Sequence, residues 1–79
     1  MTTDWIDVEV ALRGYAEKLG LPPQALGMVL GKFKPKQPGI MWLSDHAIMV
    51  HATDSGLAFD RNEFEAVMRE VKPVQLGGA

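Results

Sequence analysis

Residues Leu12 to Phe33 read LRGYAEKLGLPPQALGMVLGKF, and this stretch decides the fold because apolar residues recur at helical steps on both sides of a glycine and two prolines. Leu12, Tyr15, Ala16 and Leu19 lie three or four residues apart, the spacing that lines one face of a helix. Gly20 stands where a helix stops with a left-handed residue. Pro22 and Pro23 suit the first turn of the next helix, where a missing amide costs little. The spacing predicts that second helix over 23–32, with Leu26, Val29, Leu30 and Phe33 on its inner side. Gly27 and Gly31 each weaken it by about 1 kcal/mol relative to alanine, so packing has to hold it.

Toward the N-terminus the same apolar face extends back through Val8 and Trp5, which makes Thr3 or Asp4 the expected N-cap. Asp4, Asp7 and Glu9 then suit the positive end of the helix dipole. Gly14 is a soft point at which this first helix can divide in two. Toward the C-terminus, KPKQPG (34–39) is a stiff, basic loop. From Ile40 the period changes, and IMWL (40–43), AIMVHA (47–52) and LAF (57–59) read as the strands of an antiparallel meander separated by two turn sequences. In the middle strand Ile48 and Val50 share one face, Met49 and His51 the other. Asp60 and Glu63 have the spacing of a capping box, and Phe64, Val67, Met68 and Val71 follow at helical steps. A terminal helix is therefore predicted over 61–72. The chain reads as one small α+β domain, residues 1–72, with a flexible tail at 73–79.

A chain of 79 residues has room for one domain and buries only about 60% of the surface its unfolded form exposes. An apolar share of 47% against 23% charged excludes disordered and fibrous classes. Cysteine is absent, which removes disulfides, cysteine-based zinc sites and cysteine nucleophiles, and fits a reducing compartment. MTTDWID is acidic where a signal peptide is basic and then apolar, and no apolar run approaches membrane length. A cytoplasmic protein without a membrane partner is expected.

The net charge of -2 conceals a segregation. Residues 1–12 hold three acids and no base, residues 37–79 six acids and three bases, and residues 13–36 five bases against the single acid Glu17. The stretch that organises the fold is thus also the only net-positive block of the chain. Phosphate-contacting cations belong in such a block.

Ala16, Gly20, Leu21, Leu26 and Val29 resemble the signature of bacterial helix-turn-helix regulators, in which a small residue allows close crossing, a glycine makes the turn and apolar residues set the angle. The three strands that follow look like an enlarged wing of a winged-helix domain. The resemblance implies a helix-turn-helix-like arrangement of the two N-terminal helices, ahead of the three-stranded meander and C-terminal helix that the residue spacing predicts. It implies a regulatory protein that binds nucleic acid, with Gln24 as the one outward residue of the second helix able to read a base edge and Lys18, Lys32, Lys34 and Lys36 positioned on phosphates. Pro22, Pro23, Gly27, Met28 and Gly31 depart from the polar surface such regulators present.

A second class of function follows from Met28, Trp42 and Met49. Methionine repacks easily and tryptophan is favoured at interface hot spots, so these side chains suit a protein-binding adaptor or inhibitor, acting as a homodimer, of the compact kind found among phage and mobile-element accessory proteins. Phe33, between lysines, is expected in the core. His46 and His51 sit at an odd spacing, which on one strand sends them to opposite faces and away from a shared metal. Ser44, Asp45 and His46 are adjacent in a turn, which cannot supply a hydrolase triad's geometry. No enzymatic activity, cofactor, metal or small-molecule substrate is expected.

Overall fold

Helix α1 (Val8–Leu19) ends as its sequence requires. Gly20 adopts φ 84°, its amide donates to the Glu17 carbonyl at 3.0 Å, and the Leu21 amide donates to Ala16 at 3.1 Å. This pair of bonds is the Schellman closure, and it satisfies two carbonyls that a helix end leaves orphaned. Helix α2 (Pro23–Phe33) starts at once, with Pro23 in its first turn and no side-chain cap at Pro22. Helix α1 runs unbroken through Gly14. The structure, a computed structural model, describes residues 2–73; of the expected tail, residues 74–79 lie outside the described part.

The meander is present as β2 (Gly39–Leu43), β3 (His46–Thr53) and β4 (Gly56–Asp60), followed by α3 (Arg61–Glu70). One element differs from expectation. Trp5–Asp7 is not the first turn of a helix but a strand, β1, antiparallel to β4 with Trp5 opposite Asp60 and Asp7 opposite Ala58. The sheet therefore has four strands in the order β1-β4-β3-β2. The helix cap moves to Asp7, whose Oδ1 accepts from the Glu9 amide at 2.8 Å. Asp4 is tied to α3 instead, its carbonyl accepting from the Arg61 amide at 2.8 Å and its carboxylate pairing with the Arg61 guanidinium at 3.0 Å.

Strand alternation sorts the sheet into two faces. Ile6, Met41, Leu43, Ile48, Val50 and Phe59 point to the face covered by α1 and α3, where Val8, Leu12, Phe64 and Val67 meet them. Phe59 and Phe64 stack with ring centroids 5.8 Å apart. Burying side chains of this size is worth about 1.5–3 kcal/mol each, and Leu12 and Phe59 are fully buried. Helix α2 packs against α1 rather than on the sheet, and none of its residues is buried.

Four further expectations are corrected. Asp60 does cap α3, accepting from the Asn62 amide at 2.9 Å, but Glu63 does not reach back to complete a capping box. Its carboxylate accepts from the Met49 amide at 3.0 Å, taking the place of a strand partner where β4 has turned into α3. Phe33 is not core: it ends α2 largely exposed. Trp5 likewise lies on the uncovered face of the sheet, beside His51 with ring centroids 4.9 Å apart. Helix α3 stops at Glu70, two residues short of the predicted end, though Val71 remains buried.

Candidate functional site

The uncovered sheet face begins in the hairpin of β2 and β3. Leu43 and His46 flank a two-residue turn in which Ser44 has φ 57°, the positive value that tight hairpins demand at their first central position. The Ser44 and Tyr15 hydroxyls share a hydrogen bond of 2.8 Å, which fixes the turn to α1. With the register set there, Ile40 pairs with Met49 and Trp42 with Ala47, and these side chains point away from the core. Ile40 is 66% exposed, Trp42 64% and Met49 39%, with Trp5 at 39% further across the same face. No described element covers them.

The backbone parity of β2 follows from the same hairpin. Residues flanking a two-residue turn exchange both hydrogen bonds, and pairs along the ladder then alternate. Leu43, Met41 and Gly39 therefore turn their amides and carbonyls toward β3, while Trp42 and Ile40 turn theirs to the open side. Met49, opposite Ile40, has the matching parity, since its amide faces away from β2 and donates to Glu63. Strand β2 is an edge strand whose free groups belong to Ile40 and Trp42.

Beside this edge lies an apolar cleft of about 340 Å³ between α1, α2 and β2, walled by Leu12, Tyr15, Val29, Phe33, Met41 and Trp42 among others. Trp42 and Met49 share the outer sheet face through the β2–β3 register, and of the two only Trp42 lines the cleft. Met28 is 66% exposed on α2 and is not part of the cleft wall.

The basic residues do not converge to the same degree. Lys18 donates from its ammonium to the Met68 carbonyl and is half-buried, so it closes the end of α3. Lys34 pairs with Glu9 at 3.4 Å, and Glu9 also holds Arg13 at 3.2 Å. Lys32 and Lys36 are exposed at the far end of α2 and in the loop after it. Gln24 is exposed at the opposite end of the helix, about 12 Å from Lys32 at 1.5 Å per residue.

His46 and His51 fall on opposite faces of β3, as their spacing requires; the buried Nδ1 of His46 has no hydrogen-bond partner among the described residues. No three His, Asp or Glu side chains converge as a metal site among those residues, and no helix there is long and apolar enough to cross a membrane. A second hollow, of about 360 Å³, sits against Trp5, Asp7 and Asp54, where the Asp7 carboxylate is already engaged in capping α1.

Sequence reasoning missed Ile40, Trp5 and Phe33 as surface residues. The alternation in IMWL carried the signal for Ile40, because Ile40 and Trp42 necessarily share a face. Trp5 had no local signal, since its strand exists only through β4. Against known protein families, characterised proteins and solved structures, the chain finds no match.

Proposed function

We propose that the protein is a small non-enzymatic protein-binding module, an adaptor or inhibitor whose binding surface is the uncovered face and open edge of its sheet, centred on Trp42 and Met49. One observation carries this: Ile40, Trp42 and Met49 stand exposed side by side on one sheet face. Contiguous apolar surface of this kind marks interaction sites far more often than scattered exposed residues do. Tryptophan contributes large contact area at small entropic cost, and methionine adapts its shape to what it meets. A cytosolic setting belongs to the same proposal, supported by the cysteine-free composition.

Nucleic-acid binding by α1 and α2 is the second reading. Exposed Gln24, Lys32 and Lys36 favour it, while Lys18 and Lys34 are engaged within the fold. A single comparison separates the two. Trp42→Asp is expected to keep the thermal stability of the parent and to abolish its association, with itself or with a protein partner, in sedimentation and co-purification. If the parent instead associates only with oligonucleotides, losing affinity steeply with salt and altogether in Lys32→Glu/Lys36→Glu, the function passes to nucleic acid.

A further inference from the structure

We infer that the occupant of the open β2 edge is a second copy of the same chain, paired antiparallel strand to strand about a two-fold axis at Met41; this rests on the protein-binding reading above. The parity of β2 makes the register. The outward amides and carbonyls belong to Ile40 and Trp42. In an antiparallel pair the two residues that face each other across a hydrogen-bonded position exchange both bonds. Ile40 of one copy opposite Trp42 of the second copy, and the reverse, satisfies all of these groups with four bonds. Met41 then faces its own equivalent at the axis.

Side chains and charges agree with this register. The two-fold joins like faces, so Trp42 lies beside the second copy's Ile40 and the exposed patch of each sheet continues into the other. Within β2 there is no lysine, proline or charged residue, the devices by which sheet edges normally resist pairing. Residues 37–44 carry no charge at all. Beyond the seam, Asp45 of one copy comes to the loop that bears Lys36 of the other, an acid against a base at each end. On the inner face the two Met41 side chains meet at the cleft walled by Val29 and Phe33. That gives apolar residues of α2, a helix with nothing buried in the single chain, a surface to cover. A five-residue seam is small among stable interfaces, so association with a dissociation constant roughly in the micromolar range is expected.

The absence of cysteine allows a direct test on the full chain with single-cysteine variants. Met41 faces its equivalent at a non-hydrogen-bonded position, where Cα atoms lie about 4.5 Å apart, within the span a disulfide bridges. Under mild oxidation Met41→Cys is expected to give a cross-linked dimer whose yield falls on dilution. Ile40→Cys and Trp42→Cys, each two residues out of register with itself, are expected to stay monomeric on denaturing gels. Ile40→Pro removes an amide that faces only the open edge, so it is expected to retain the circular dichroism of the parent while its dimer dissociation constant rises by about tenfold or more in sedimentation.

Preferential cross-linking of Ile40→Cys or Trp42→Cys, or unchanged dimerisation of Ile40→Pro, overturns the strand pairing. A parent that is monomeric at every concentration, yet binds a protein partner through Trp42, also overturns it while leaving the protein-binding reading intact. A monomer with no Trp42-dependent partner ends both.

Discussion

Helices α1 and α2 come from one continuous stretch, carry similar numbers of apolar residues and stand on either side of one turn, yet they differ in what they bury. Helix α1 buries Val8, Ala11, Leu12 and Ala16, whereas α2 buries none of its residues. Helix α1 is capped by Asp7 and lies across the sheet, so its apolar face meets Phe59, Leu43 and the residues of α3. Helix α2 has no side-chain cap, contains Gly27 and Gly31, and meets chiefly α1. Helical periodicity states which side chains share a face. Whether that face finds a partner depends on residues far away in the chain. The contrast also locates free apolar surface: it lies where, among the described residues, α2 and the outer sheet face lack a second layer.

The largest effect expected from this contrast lies in the core. Leu12→Ala should lower unfolding free energy by about 2–5 kcal/mol in urea titrations, while Leu26→Ala in α2 should cost well under half as much, because its site is open and partly solvated already. Equal losses would mean that α2 shares the core fully, and the distinction between the helices would fail.

The glycines should respond in opposite directions. Gly20→Ala forces a side chain into a left-handed turn at φ 84° and should cost about 1–2 kcal/mol. Gly27→Ala meets open space at its Cβ and should stabilise α2 by up to about 1 kcal/mol. Hydrogen exchange at the α2 amides is the measurement for the second, and unchanged exchange would show that helix propensity does not limit α2. The smallest effect belongs to Glu9→Gln. It loosens two exposed pairs, one to Arg13 within α1 and one to Lys34 just after α2, and a change below about 0.5 kcal/mol, vanishing at high salt, is expected.

Much of the fold was legible in local spacing. The turn at Gly20, the start of α2 at its prolines, the three strands of the meander and the cap at Asp60 all depend on residues a few positions apart. The opposite faces of His46 and His51 were legible for the same reason. The partner of Glu63 was not, because a vacant ladder position at Met49 appears only once β4 has departed into α3. Nor was the engagement of Lys18 with Met68, fifty residues on. Of the candidate surface, Trp42 and Met49 could be named from residue type alone. Their union with Ile40 required the register of β2 on β3.

What the sequence determined by itself, then, is the kind of every element but β1 and the turns between most of them, since periodicity, capping and left-handed glycines act within one or two turns of backbone. The tertiary structure decided the rest. Trp5–Asp7 has three residues and no helical or strand signal strong enough to choose, and it becomes β1 because Asp60 and Ala58 offer it a ladder. Among the described residues the same assembly leaves β2 with an open side and Ile40, Trp42 and Met49 without cover. Exposure of a face is set by how many layers a short chain can build around its sheet, and the described residues build only one, α1 and α3 on the inner face.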